Sequence, residues 1–303
     1  MDRDLLPHLV IVATVARRGG FASAAAELGM SPSAVSHAVR TVEDRIGLPL
    51  FIRTTRTVCL TEAGAALVGA AEPAVRDIAE TIERLQASRG RVTGLLRLNV
   101  PRVALPVVIN PILAVLARRH PDLTIEITSD DALADIVAQG FDAGVRLGGM
   151  IAQDMVAVRL TAPFRAVMVA SPAYLKARGA PGAIEDLQAH NCIGFRLLAS
   201  GGVYAWELAR EGADIAVSVR GTVLVTDPLH ARDLALAGIG IAYVFEPLVR
   251  EYVAAGRLRL VIPGAAIEEP GFFLYFPRRA AGTPKLRAFI EVARERLTRA
   301  TAA

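Results

Sequence analysis

The sequence predicts a multidomain chain: a small all-α unit carrying one short hairpin, then a long helix, then a larger α/β region. Three features predict this order. Apolar residues before Thr61 recur at three- and four-residue steps between glycines, residues 62–89 hold no strong stop except Pro73, and beyond Gly94 short apolar strands alternate with helical segments. The length of 303 residues suits two or three domains, and 53% hydrophobic against 21% charged residues excludes a disordered chain. The longest uncharged stretch, Val103 to Ala117, is broken by Pro106 and Pro111 and falls short of the roughly 20 apolar residues a membrane crossing needs. Asp2, Arg3 and Asp4 open the chain without a basic segment leading to a cleavage site, so a cytoplasmic location and no membrane partner are expected. Cys59 and Cys192 are isolated, which predicts reduced structural thiols, no metal site and no cofactor.

Residues from about 4 to 17 place Leu5, Leu9, Val12 and Val15 or Ala16 on one helical face, and Gly19-Gly20 ends it. Ala24, Ala25, Ala26 and Leu28 form a short helix of small side chains up to Gly29, which lets a neighbour approach closely. The third helix is the best marked. Ser31 is an N-cap, Pro32 suits the first helical position, and Val35, Val39, Val42 and Ile46 follow at helical spacing. With the valines inward, Ser33, Ser36, His37 and Arg40 share the opposite face and offer hydroxyl, imidazole and guanidinium groups to bases and phosphates. Two short helices around a glycine turn match a helix-turn-helix, whose second helix enters the major groove; a merely solvated polar face is the alternative.

The net charge of +4 decides little, since the first 91 residues carry 11 arginines against 10 acidic residues. The basic footprint is local. Leu48-Pro49-Leu50-Phe51, then Arg53-Thr54-Thr55-Arg56-Thr57, then Val58-Cys59-Leu60 read as a hairpin tipped by cations, a wing beside the helix-turn-helix. Arg53 and Arg56 are placed to neutralise phosphates or enter the minor groove, with Thr54 between them. Candidate DNA-binding residues are therefore Ser31, Pro32, Ser33, Ser36, His37, Arg40, Arg53, Thr54 and Arg56, and the expected partner is double-stranded DNA.

The run Phe21-Ala22-Ser23-Ala24-Ala25-Ala26-Glu27-Leu28-Gly29-Met30-Ser31-Pro32-Ser33-Ala34-Val35-Ser36, with Leu50-Phe51-Ile52-Arg53-Thr54-Thr55-Arg56 and Leu60-Thr61-Glu62-Ala63-Gly64, resembles the LysR-type transcriptional regulators. Pro32 stands where many members have Gln, and His37 where many have Arg. Ala22 occupies a position that Ser or Thr often caps in the family, which leaves Ser23 as a late cap.

Thr61 is a plausible N-cap for a helix over 62–89, about 42 Å long at 1.5 Å per residue, with Pro73 a site for a kink. Leu67, Ala71, Val75, Ile78, Ile82 and Leu85 form a seam suited to a second copy. The resemblance strengthens self-pairing and implies a homodimer or, as a dimer of dimers, a homotetramer. A two-fold dimer would present two recognition helices to a roughly palindromic site.

In the remainder, Gly94 to Val100, Leu123 to Thr128, Phe164 to Ala170, Cys192 to Phe195, Thr222 to Thr226 and Gly240 to Phe245 read as strands. Ile109 to Arg119, Ala132 to Ala138, Pro172 to Arg178, Pro228 to Ala237 and Glu246 to Ala254 read as helices, so a parallel sheet is expected. The resemblance implies an effector domain of two α/β lobes, like periplasmic binding proteins, with crossover strands near Thr161 and Ile267. The domains are then 1–61 (winged helix-turn-helix), 62–90 (linker helix) and 91–303 (effector domain: lobe 1, 91–161 and 267–303; lobe 2, 162–266).

Ligands of such sheets sit beyond the carboxyl ends of the strands. Those ends carry Pro101, Arg102 and Val103, Arg146, Phe195, Thr226 and Asp227, the candidate effector-binding residues. Arg102 or Arg146 suits a carboxylate and Phe195 or Trp206 an apolar wall, so a small organic acid is the expected effector. Arg102 and Arg146 also suit surface salt bridges, Asp227 suits a helix cap, and Trp206, in the alternating Tyr204-Ala205-Trp206-Glu207-Leu208, suits packing in the lobe.

Enzyme motifs are weak. Gly238-Ile239-Gly240-Ile241-Ala242-Tyr243 imitates a dinucleotide fingerprint but has Tyr at the third glycine position and leads into a strand. There is no G-x-S-x-G elbow or H-E-x-x-H, and Lys176 and Lys285 are the only lysines. Asp130-Asp131 and Asp227 with His230 are explained by caps and surface charge. The chain reads as a regulator, not an enzyme.

Overall fold

In the computed structural model, which describes residues 5–53, 58–87, 91–131, 135–137, 139–151, 154–198 and 200–302, the chain divides into two units, Met1–Arg91 and Val92–Ala303. The first unit holds helices α1 (Leu6–Arg18), α2 (Phe21–Leu28) and α3 (Pro32–Ile46), strands β1 (Phe51–Arg53) and β2 (Val58–Leu60), and helix α4 (Glu62–Ala87). Val12, Val15, Ala24, Val35, Val39, Val42 and Leu50 are fully buried in its core. Each such valine or leucine contributes about 1.5–3 kcal/mol of transfer free energy.

Helix α2 starts earlier than its small-residue run suggested because Phe21 packs edge-on against Phe51, ring centroids 5.8 Å apart. Gly20 is its N-cap and makes no side-chain cap bond. Ser23 is not a late cap: its hydroxyl donates to the carbonyls of Arg18 and Gly20. Strands β1 and β2 pair antiparallel, Phe51 opposite Leu60, as the wing requires. At the start of α4 the Gly64 amide donates to Thr61 Oγ1 at 3.0 Å. A Cβ on Gly64 would fall 2.1 Å from the Leu50 carbonyl oxygen, so only glycine lets the helix lie this close to the wing.

The seam along α4 is divided. Ala71 is buried and Leu67 packs against the unit's own core, whereas Ile78, Ile82 and Leu85 are 63%, 51% and 65% exposed.

The second unit is built on two mixed sheets. The first has the order β4-β3-β5-β15-β6, from β3 (Gly94–Val100), β4 (Leu123–Ser129), β5 (Ala143–Leu147), β6 (Met155–Arg159) and β15 (Phe272–Pro277). The second has the order β11-β8-β12-β7-β13, from β7 (Phe164–Ala170), β8 (Cys192–Phe195), β11 (Leu224–Val225), β12 (Ile241–Phe245) and β13 (Arg259–Val261). A hairpin of β9 (Trp206–Arg210) and β10 (Ala213–Val217) stands beside it.

A wholly parallel sheet is not what forms. Strands β3, β4 and β5 are parallel, but β15 runs antiparallel to β5 and β6, and β7 antiparallel to β12, because the chain crosses between lobes and returns. The return crossing lies beyond Ile267. Strand β14 (Ile267–Glu269) still pairs with β7 of the second lobe, and the chain turns at Pro270-Gly271. Gly271 has φ +86°, and a Cβ there would meet the Ala162 carbonyl oxygen at 2.7 Å.

Of the helix expected over Ala132 to Ala138, residues 132–134 and 138 lie outside the described residues, and Ile136 and Val137 form a turn. The segment Glu246 to Ala254 divides into a 3-10 turn, Glu246–Leu248, and helix α8 (Arg250–Ala254). Helix α5 (Asn110–Arg119) packs against α9 (Pro284–Ala302), and α6 (Pro172–Arg178) and α7 (Pro228–Leu236) belong to the second lobe. One apolar core joins both lobes: Phe164, Phe245 and Phe272 meet with centroids 5.1–6.1 Å apart where the chain crosses.

Candidate functional site

Helix α3 is set up by its first turn. Ser31 Oγ accepts from the Ala34 amide at 3.2 Å and lies 2.9 Å from Ser33 Oγ, and Pro32 begins the helix. Val35, Val39 and Val42 are fully buried, which turns Ser33, His37 and Arg40 outward as exposed residues and leaves Ser36 half-buried beside them. Two carboxylates tie the elements of this unit together. Glu43 accepts from the Leu50 and Phe51 amides at 2.8 and 3.3 Å, tying the wing to α3. Glu27 of α2 pairs with Arg17 and Arg18 at the end of α1; burial alone would raise its pKa, but these arginines outweigh it and hold the carboxyl at about 2.

The wing is described only in part. Arg53 belongs to β1, its side chain lies outside the described residues, and so do Thr54 and Arg56.

In the second unit a cleft of about 570 Å³ opens between the lobes. Pro101, Val103, Asp131 and Arg146 line it from the first lobe; Phe195, Tyr204, Trp206 and Glu207 from the second; and Phe245 and Phe272 floor it. Arg146 is only 2% exposed. Its Nη1 donates to the Val145 carbonyl and its Nη2 to Asn99 Oδ1, both at 2.7 Å. Burial lowers its pKa against the pull of Tyr275, Asp130 and Asp131, yet a guanidinium stays charged at any physiological pH.

Four of the seven expected effector contacts, Pro101, Val103, Arg146 and Phe195, thus come together in the cleft. Arg102, Thr226 and Asp227 do not line it. The Arg102 amide donates to Asp131 Oδ1 at 2.9 Å while its guanidinium Nε stands 3.9 Å from Asp131 Oδ2, a salt-bridged pair. Asp227 Oδ1 accepts from the Leu229 amide at 2.8 Å and so caps α7, placing Pro228 rather than Thr226 or Asp227 against the cavity. Trp206 proves to be both buried, at 1% exposure, and part of the cleft wall.

Sequence reasoning missed Glu207, Tyr243, Glu269 and the cleft role of Tyr204. The alternation through Tyr204-Ala205-Trp206-Glu207 was visible, but nothing local announced that β12 and β14 would bring Tyr243 and Glu269 to the same wall. Cys192 is buried, which pushes its thiol up to about 12 and leaves it inert, while Cys59 is exposed on β2. Among the described residues no helix is long and apolar enough to cross a membrane, and no three His, Cys, Asp or Glu side chains gather as a metal site.

A helix-turn-helix with a wing hairpin in one unit and two α/β lobes around a cleft in the other are the architecture of a ligand-responsive transcriptional regulator. Residues 6–65 match the family described as bacterial regulatory helix-turn-helix proteins of the lysR family, and residues 89–298 match the LysR substrate binding domain. The chain belongs to the LysR family of transcriptional regulators. It is 38% identical to the uncharacterized HTH-type transcriptional regulator YcaN of Escherichia coli over 91% of this chain and 90% of that one. It is 33% identical to PgrR of the same organism over 96% and 97%. Among solved structures, CrgA of Neisseria meningitidis superposes with a TM-score of 0.61 at 26% identity, covering 95% of this chain and 98% of that one. The relatives are regulators, and this protein is a regulator with a DNA-binding and an effector-binding domain rather than an enzyme. Membership implies DNA, a small-molecule effector and an oligomeric assembly.

Proposed function

We propose that α3 reads a promoter through Ser31, Pro32, Ser33, Ser36, His37 and Arg40, that Arg53, Thr54 and Arg56 of the wing hold the phosphate backbone, and that a small organic acid in the cleft biases the assembly. The observation that carries this reading is the divided face of α3, three fully buried valines opposite exposed Ser33, His37 and Arg40. Bases are read by Ser36 and His37, and phosphates by arginines. Arg146, the one cationic side chain among the described cleft residues, is the group that receives the acid's carboxylate.

The exposed Ile78, Ile82 and Leu85 supply the pairing surface of a homodimer, or of a dimer within a homotetramer, with residues 1–61, 62–90 and 91–303 acting as reading head, linker and receptor. The protein works in the cytoplasm. The effector acts by binding one arrangement of the assembly more tightly than another, since equal affinity would shift nothing.

The test is gel retardation with the DNA upstream of the protein's own gene, followed by footprinting. Selective retardation of that duplex, altered by addition of the effector acid, is expected. Retardation no stronger than that of an unrelated duplex would remove the reading head from α3.

A further inference from the structure

We infer that the second-lobe wall of the cleft receives an organic cation, so that the effector is a dipolar molecule bearing an amine or guanidinium group as well as an acid. The inference rests on the cleft being the effector site. That wall is built from Tyr204, Trp206, Tyr243, Glu207 and Glu269. Its three rings form a nearly parallel row: Trp206 and Tyr243 stack with centroids 5.5 Å apart at 20°, and Tyr204 and Tyr243 at 6.4 Å and 26°. The row is held from behind, because Tyr243 Oη donates to the Glu207 carbonyl at 2.7 Å.

Two carboxylates flank these electron-rich rings, and among the described residues neither Glu207 nor Glu269 has a cationic side chain within ion-pair distance. The Arg146 charge is drawn instead toward Asp130 and Asp131 on its own lobe. Burial of Glu269, with Glu207 adding to it, raises the Glu269 pKa, and burial with nearby carboxylate charge also raises both phenols. A cation seated against these rings would relieve the mutual repulsion of the two carboxylates. Parallel aromatic rings beside carboxylates favour a large, weakly hydrated organic cation, whereas a metal ion would demand further oxygen or nitrogen ligands. The cleft thus sets the cationic Arg146 and its acidic neighbour Asp131 on one lobe against Glu207 and Glu269 on the other, with apolar Phe245 and Phe272 also in its lining.

Trp206 is the chain's single tryptophan and lines the site, so its fluorescence reports occupancy directly. The full-length protein is titrated with three probes sharing one ring: benzylamine, benzoate and para-(aminomethyl)benzoate. Saturable changes with benzylamine and, more tightly, with para-(aminomethyl)benzoate are expected. Glu269→Gln should weaken both amines by about tenfold while leaving benzoate unchanged. Glu207→Gln, at an exposed position, keeps the test open should the Glu269 variant fold poorly, and it is expected to act in the same direction. Binding of benzoate without benzylamine, or amine affinities indifferent to both variants, would overturn the cationic subsite and leave the cleft reading standing. No response to any of the three would overturn both.

Discussion

On α3 the side chains offered to a partner, Ser36, His37 and Arg40, make no side-chain hydrogen bond among the described residues, whereas in the cleft Arg146 already gives Nη1 to Val145 and Nη2 to Asn99. Helix α3 separates its tasks by face: three valines hold the fold, and the opposite side is the one proposed to meet DNA. The cleft cannot separate them. Arg146 and Trp206 are buried members of the lobes and also line the cavity. A surface reader can therefore change specificity at little cost in stability, while a change to these cleft residues disturbs the scaffold that forms the site.

The sharpest way to break this contrast is Val39→Asp. A carboxylate in the fully buried valine face should cost the first unit more than about 3 kcal/mol and abolish DNA retardation. Titration of Trp206 fluorescence should survive, because the two units have separate cores; loss of both together would mean that they unfold as one. Next, Arg146→Ala should lower stability by about 2–4 kcal/mol, read from the urea midpoint, because it strands Asn99 Oδ1 and leaves a void. Arg40→Ala should stay within about 0.5 kcal/mol in stability while weakening DNA binding. Equal stability losses in the two arginine variants would erase the distinction between the regions.

Ser36→Ala and His37→Ala should each reduce discrimination between cognate and altered sites by about 1–3 kcal/mol, measured at fixed salt, with non-specific affinity retained. Ser31→Ala should cost α3 about 1 kcal/mol by thermal melting, through loss of the bond to the Ala34 amide. The smallest effect belongs to Glu27. Its folded pKa of about 2 lies below the ordinary 4.5, so its contribution is complete above pH 4.5 and fades as pH falls toward 2. Solvent screening keeps that contribution to about 1 kcal/mol or less, and in Glu27→Gln this part of the acid dependence of unfolding should vanish.

Legibility followed the range of the physics. Ser31, Pro32 and the valine spacing announced α3 because capping and amphipathic periodicity act within one helix. Strands β3, β7 and β8 were marked by their apolar runs and have the expected bounds. The mixed direction of the sheets was hidden, because β15 pairs with β5 and β6 from the far end of the chain. In the candidate site, the strand-end residues Pro101, Val103, Arg146 and Phe195 line the cleft, while Arg102, Thr226 and Asp227 do not; Arg102 pairs with Asp131, and Asp227 caps α7.

By itself, the sequence determined the divided face of α3, the long α4 and the alternation of strands and helices, because each depends on residues a few positions apart. Only the tertiary structure decided that Tyr204, Glu207, Tyr243 and Glu269 share a wall opposite Arg146. That wall is assembled by pairing β12 and β14 to β7 and by stacking rings from separate strands, and a periodicity within any one strand carries no information about which distant strand will lie beside it.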